Sequence, residues 1–390
     1  MKPSSVTAFR GLNNTSDPLT LGLGWLVTAE NIDITDRGRI QVRPGYGAPI
    51  AATNPQAYGT IDHQRAYYTD GDALKTIEGV TIATGLSSGP ISWAEVDRQV
   101  FYCNGVDTGI IGPDHTVRAL SWPIPATPSL AAVAGNLDPG LYRVCCTFEL
   151  PDGRETGASD PAEIEIQAGQ GLQVSGIAQT EGMRTRTYIC PANSTVFQRA
   201  YSGEASAFVW NTSPDYLGSD LTTDGLDPIP AGASIIQHWN GRLHAAVYEP
   251  QADATFIFQS EALAYHLFDL EKSIAVDGQA RMLAPSSEAL VIGTDKAIYA
   301  YDRSGALLML ANYGVTPGWP WWIDDSHPSK TLYIWTERGM CRFPEFANLT
   351  GDQVSVAPGV HAGAAVVQAN GQKRFVVALH QGGIPFNSRS

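Results

Sequence analysis

Lysine is scarce in this chain, and paired cysteines, long apolar runs and helical stripes are missing. Each shortage removes a class of protein. Only six of the 390 residues are lysine (Lys2, Lys75, Lys272, Lys296, Lys330 and Lys373). Lys+Arg 25 stand against Asp+Glu 39, a formal net charge of −14. Phosphate binding runs on Lys and Arg, so this balance repels nucleic acid instead of gripping it. There is no basic run and no aromatic-plus-basic stripe of the single-strand-binding kind, which excludes sequence-specific DNA binding. The cysteines are Cys103, Cys145, Cys146, Cys190 and Cys341, an odd set without repeated spacing. That argues against a disulfide framework and a zinc site, and for free thiols in a reducing compartment. No stretch approaches the about 20 apolar residues of a membrane span, and the start MKPSSVTAFRG has no apolar h-region, so a soluble chain without a membrane anchor is expected. No window of a dozen residues holds a 3.6-residue apolar stripe free of Gly, Pro or β-branched residues; SEALAYHLFDL (260–270) is the best helix candidate, and it is short. Charged residues make up only 16%, so much of the surface is neutral polar or covered by partners.

What the chain does have is strand pattern. In AENIDITDRGRIQVRPGYG (29–47), Ile32, Ile34, Ile40 and Val42 alternate with polar residues on either side of Thr35-Asp36-Arg37-Gly38. This is the signature of a β-hairpin with one buried face, ended by Pro44, and a hairpin alone is too small to be stable. It is expected to join a larger sheet. Further on, segments 65–77, 98–111, 241–249, 288–302, 330–343 and 373–383 each start polar or basic and run on in alternating aromatic and aliphatic residues. Turns at Asp70-Gly71-Asp72, Asn104-Gly105, Thr294-Asp295-Lys296 and Glu337-Arg338-Gly339 return a second strand. An antiparallel unit of about 40 residues predicts the blade of a β-propeller, here about six of them.

Between 124 and 232 the texture changes. Pro-rich PIPATPSL (123–130) leads in and LDPIPAGAS (226–234) leads out, and between them short strand segments recur. The spacing predicts an inserted antiparallel sandwich of immunoglobulin or fibronectin III type, with Tyr142, Val144, Phe148, Tyr188 and Trp210 in or near its core. The insertion carries 13 acids and 5 arginines and no lysine. The propeller is thus expected in two parts, 1–123 and 233–390, around an insertion at 124–232.

A search for chemistry finds no Gly-x-Ser-x-Gly elbow, no Gly-Lys-Ser/Thr loop and no His-Glu-x-x-His. Three local clusters stand out. In GWPWWIDDSHP (318–328), Trp319, Trp321 and Trp322 beside Asp324 and Asp325 have the makings of a sugar platform with carboxylates. Packing in a propeller core or subunit interface is the favoured reading. His238 and His244 flank Trp239, but their spacing argues against a metal-ligand role. Asp215, Asp220, Asp224 and Asp227 are oxygen-rich but miss the EF-hand spacing, and read as a solvated acidic loop. No residue is therefore assigned a catalytic, cofactor-binding or metal-binding role.

The N-terminal region also carries a resemblance. Gly11-Leu12-Asn13-Asn14, Ala29-Glu30-Asn31-Ile32-Asp33-Ile34 and Arg43-Pro44-Gly45 resemble the start of a family of tailed-phage virion proteins. Gly140-Leu141-Tyr142-Arg143-Val144 and Asp152-Gly153-Arg154-Glu155-Thr156-Gly157 fit the strands of that family's immunoglobulin-like insertion. Arg39-Ile40-Gln41-Val42-Arg43 departs mildly from the family's Arg-rich run. The resemblance implies a structural component of the virion, a tail nozzle or a neck or tail-tube extension that helps retain and release the genome. It further implies a ring, of six copies, contacting adjacent tail or adaptor proteins while DNA passes without sequence-specific binding. No catalytic residue and no cofactor carries over. A receptor- or glycan-binding tail protein is the alternative, with a propeller glycan hydrolase behind it.

Overall fold

A computed structural model describes residues 6, 8–35, 37–43, 50–324, 330–357, 359–369 and 372–380, and among them there is no α-helix. The chain is all-β, of the β-propeller class. β1 (Gly11–Leu12) pairs in parallel with β2 (Trp25–Leu26), and β3 (Ile32–Ile34) with β4 (Ile40–Val42) forms the N-terminal hairpin. Then follow two four-stranded antiparallel sheets in sequence order. One is β5 (Ala57–Gly59), β6 (Ala66–Asp70), β7 (Ala73–Thr76) and β8 (Thr81–Ala83); the next is β9 (Ser92–Val96), β10 (Gln99–Cys103), β11 (Thr108–Ile111) and β12 (Val117–Arg118). Four-stranded meanders of this kind are propeller blades.

The insertion comes next. β13 (Ser129–Ala134), β14 (Gly140–Glu149), β15 (Ala162–Ile166), β16 (Gln170–Ser175), β17 (Arg184–Cys190), β18 (Gln198–Gly203) and β19 (Phe208–Trp210) make two sheets, ordered β13-β16-β19 and β15-β14-β17-β18. Blades then resume. β20 (Ile235–Trp239), β21 (Arg242–Glu249), β22 (Ala254–Glu261) and β23 (Ala264–Asp277) form one, and β24 (Ala280–Pro285), β25 (Ala289–Thr294), β26 (Ile298–Asp302) and β27 (Leu307–Ala311) another. After β28 (Gly318–Trp319), β29 (Trp321–Asp324), β30 (Thr331–Thr336), β31 (Gly339–Phe343) and β32 (Ala347–Asn348) form the fifth four-stranded sheet. β33 (His361–Ala369) and β34 (Gln372–His380) pair with β28 in a three-stranded sixth.

Turn chemistry explains the meanders. Asp97-Arg98 (φ 48° and 64°) and Asn240-Gly241 (φ 51° and 75°) put two left-handed residues between paired strands. Such a turn matches the right-handed twist of the strands it joins. The four turns read from sequence all return a strand, β6 to β7, β10 to β11, β25 to β26 and β30 to β31. β25, ALVIGT, is buried throughout, as a short unbroken apolar run requires.

Two compact units divide the chain: Met1–Ser92 with Tyr248–Thr255 and Ala275–Ser390, and Trp93–Val247 with Phe256–Ile274. The first has a core of Met282, Val291, Ile298, Trp321, Ile334 and Phe343, drawn from β24 to β31. In it the N-terminal motif acts as a tie. Asn13 Oδ1 accepts the Ser16 amide at 3.1 Å, capping a turn. Asn14 Nδ2 donates to the Ser355 carbonyl at 2.9 Å while its Oδ1 accepts the Ser355 amide at 2.8 Å. The second unit has one core where Phe101, Ile110, Ile236, Leu243 and Phe268 meet. Its other core lies between the sandwich sheets: Tyr142, Val144 and Ile189 on one side, Leu172, Val174 and Trp210 on the other.

Several expectations change. SEALAYHLFDL is not a helix but the end of β22, a turn with Leu263 at φ 61°, and the start of β23. Its apolar residues pair across strands, and tertiary burial of Phe268 outweighs helix propensity. The 29–47 hairpin forms in the expected register, Ile32↔Val42 and Ile34↔Ile40, but stands as its own two-stranded sheet. Its apolar face is not buried: Ile40 is 40% and Val42 71% exposed. The opposite face does the anchoring instead, through Asp33 to Arg43 at 2.8 Å and to Arg374 of β34. Asp36, Pro44 and Gly45 lie outside the described residues. The insertion is a seven-stranded antiparallel sandwich, with β13-β16-β19 facing β15-β14-β17-β18. Adjacent Cys145 and Cys146 do face opposite ways, Cys146 into the sandwich core and Cys145 against Tyr188, Cys190 and Phe197.

The connection out of β14 is packed against backbone. A Cβ on Gly157 would lie 1.8 Å from the Leu226 carbonyl oxygen. Gly157→Ala is expected to destabilise the second unit by about 1–3 kcal/mol or more, the range for overpacking a filled site. Chemical denaturation followed by tryptophan fluorescence would measure it.

Candidate functional site

The face of the sheet β15-β14-β17-β18 turned away from the sandwich core carries a network of buried and half-buried polar side chains. Strand alternation puts Thr147 and Glu149 of β14 beside Arg186 and Tyr188 of β17, since Thr147↔Arg186 and Cys145↔Tyr188 are register partners. The turn after β14 closes through the Leu150 amide on the Arg154 carbonyl at 2.8 Å, with Gly153 at φ 84°. It brings Glu155 back over the sheet. Arg186 Nη1 donates to Glu155 Oε2 at 2.7 Å, and its Nη2 lies 2.8 Å from Glu149 Oε1. Glu155 Oε1 also accepts the Tyr188 hydroxyl at 2.6 Å and the Thr147 hydroxyl. Thr156 completes the turn by accepting the Phe148 amide on Oγ1 at 2.9 Å.

Charge states follow from these contacts. The Arg186 guanidinium hydrogen-bonded to Glu149 holds that carboxyl below the usual range. Burial, then the hydrogen bond to Glu155, pushes the Tyr188 hydroxyl up. His266 Nε2 lies 3.0 Å from the Glu155 carbonyl, and burial keeps its imidazole neutral by pushing its pKa down. Burial followed by the charges of Asp160 and Asp269 raises Asp227.

Around this network the insertion sorts its charges by depth. Of its acids, Asp138, Asp152, Asp160, Glu163, Glu165, Glu181, Glu204, Asp215, Asp220 and Asp224 are exposed, while of its arginines only Arg184 is. Arg143, Arg154, Arg186 and Arg199 are half-buried. Arg154 lies over Trp122 and pairs with Asp152 at 2.8 Å, and Arg143 lies over Phe197. The surface is more anionic than the composition alone implies.

The other candidates resolve into structure. Trp321 is 7% exposed in the core of the first unit, and Trp319 stacks on it at 4.6 Å with Tyr58 edge-on to Trp319 at 5.8 Å. Trp322 lies on the opposite face of β29, across from Tyr333, so the three tryptophans form no single platform. Asp324 pairs with Thr331 at the end of that strand, and Asp325 lies outside the described residues. His244 opposes Gln237 and His238 opposes Leu243, so the two imidazoles sit on opposite faces and do not share a ligand. Burial pushes His244 down to about 4. Asp220 accepts from Gln198 at 3.0 Å and Asp215 from the Ser213 hydroxyl at 3.2 Å, each in a loop role. The Arg186 network was not foreseen from sequence. Its only trace is the Arg184 and Arg186 alternation in RTRTYIC, which puts two cations on one strand face among acids.

Arg186→Ala leaves two part-buried carboxylates without their cation, and is expected to cost about 3 kcal/mol, the low end for breaking a buried pair. Because the pKa of Glu149 is depressed in the folded state, its contribution is full above the ordinary value of 4.5 and fades as pH falls through the lower folded value. The Arg186→Ala protein should therefore lose this acid limb in denaturation curves taken from pH 6 to pH 3. His244 acts over a higher window. Its folded pKa lies below the ordinary 6.5, so the unfolded chain takes up the proton first and stability drops as pH falls from 6.5 towards about 4. His244→Gln should flatten that segment of the curve.

No protein-family profile matches this chain, and no curated protein does. Several solved structures are similar to it at low identity. A streptogramin B lyase is 11% identical over 77% of this chain and 83% of its own, with a TM-score of 0.32. A complex of BBS1N with ARL6DN is 10% identical over 67% and 95%, with a TM-score of 0.27. A functionally unknown protein from Desulfotomaculum acetoxidans is 10% identical over 84% and 100%, with a TM-score of 0.24. Likeness at this level carries no inference about what the chain does.

Proposed function

We propose that this chain is a structural subunit of a tailed-phage virion, arranged in a ring around the DNA channel as a tail nozzle or as an extension of the neck or tail tube. The observation that carries the reading is the depth sorting of charge on the insertion, acids outward and arginines inward. An anionic wall lets a polyanion slide past, whereas outward cations would hold it by releasing its counterions. The N-terminal residues that resemble the virion family support the reading. Asn13 caps a local turn and Asn14 ties one part of the first unit to another. The protein acts as a conduit and retainer of packaged DNA, with no catalytic step, and its partners are further copies of itself, six by resemblance, and adjacent tail or adaptor proteins.

A receptor- or glycan-binding role is the second reading. Half-exposed Trp322 and Tyr333, opposed on one sheet face, favour it.

Removing the gene distinguishes the two. The expected outcome is filled heads that leak DNA, or particles with truncated tails, seen by negative-stain microscopy. Normally tailed, infectious particles lacking the protein would overturn the proposal, and complete particles that only fail to adsorb would favour the receptor reading.

A further inference from the structure

Two features of the first unit are incomplete in a single copy. The first is β27. As the outermost strand of its sheet it pairs only with β26. It reads Leu-Leu-Met-Leu-Ala, with Leu307, Leu308 and Met309 at 39%, 63% and 53% exposure. Proteins blunt such edges by shortening or charging them, and the other four-stranded blades do so. β12 and β32 are two residues long and β8 three, while β23 carries Asp269, Glu271, Lys272 and Asp277. β27 is five residues long and uncharged.

The second is the hairpin β3–β4. A two-stranded hairpin is marginal in water and needs a third strand or other cover. Among the described residues no strand beyond these two joins their sheet, and Ile40 and Val42 of β4 stand exposed. Arg37 and Arg39 are exposed beside them, with no acid described between 37 and 43.

We infer that the two complete each other between copies: β4 of one copy adds to the edge of β27 of the next, extending that sheet by the hairpin. Strand addition pairs open backbone groups on both edges and sets Ile40 and Val42 beside the apolar residues on one face of β27, that of Leu308 or that of Met309. Charge agrees, since the arginine-flanked strand meets an uncharged edge on a molecule of net charge −14. Different patches on the two copies make the contact head-to-tail, which closes into a ring or runs on as a filament. A five-residue strand covers well under the about 1,200 Å² of a stable interface. A copy therefore gains from making two such contacts, as a ring member does. The inference shares with the proposed function only the premise that copies associate.

Disulfide trapping tests it. Val42→Cys is combined with Leu308→Cys in one chain and with Met309→Cys in another, covering both faces of β27, and the proteins are oxidised with copper phenanthroline. The native cysteines are all buried, so the background is low. At least one double variant should give a ladder of covalent oligomers on non-reducing gels, with each single variant staying monomeric. No ladder from either double variant overturns the inference, even if rings are seen by microscopy, in which case the ring reading survives without it. A dimer from Leu308→Cys alone also overturns it, in favour of β27 pairing with itself. A ladder without a largest species leaves the contact standing and removes the ring.

Discussion

Every sheet ends in two strands with open backbone groups on one side, and a chain made only of strands must dispose of all of them. An unpaired N–H or C=O is harmless in water but becomes an invitation to any other strand. This chain answers edge by edge. Several outer strands, among them β5, β8, β12 and β32, are cut to two or three residues, so little edge remains there. The long β23 is kept wet by Asp269, Glu271 and Lys272. In the insertion, β15 carries Glu163 and Glu165 at the edge of its sheet. Low total charge then has a structural meaning, because charge is concentrated where edges need it and is spared elsewhere.

The insertion solves a second problem. Its four-stranded sheet is covered on both faces, so polar residues on the outer face cannot simply point into water. Arg186 is placed where two carboxylates, a tyrosine and a threonine reach it or each other. A buried charge that keeps all its partners is tolerated, and one that loses a partner is costly. The network thereby fixes the path of 150–157 over the sheet, and that path holds the acidic rim in place.

Much of the blade pattern could be read from the sequence, for an identifiable reason. The aromatic-rich segments starting near 65, 98, 241, 288 and 330 are the second strands of the five four-stranded blades, and in at least four the third strand follows the turn, whereas the segment from 373 falls on β34, an outer strand. Central strands are longer and largely buried, β25 throughout, so their apolar and aromatic residues mark them in the sequence. First and fourth strands such as β5, β12 and β32 run two or three residues and carry no period. The 260–270 segment failed as a helix because a short apolar run fits both periods, and only pairing with a neighbouring strand decides between them. The hairpin was read in register but not in context, since alternation shows which face is apolar and not whether anything covers it. The charge sorting of the insertion was out of reach for the same reason: depth is a property of the folded chain.

The tie between Asn14 and Ser355 joins residues 341 positions apart. Translation at about 5–20 residues per second separates their synthesis by about 20 to 70 s. For that interval the N-terminal segment exists without its partner, and β3 without Arg374. The second unit, by contrast, has all its residues by Ile274. Order of birth therefore differs from order of closure: the middle of the chain can settle while its first forty residues wait for the last forty. Non-local contacts of this span are also the kind that slow folding, since the loop between them must be closed first.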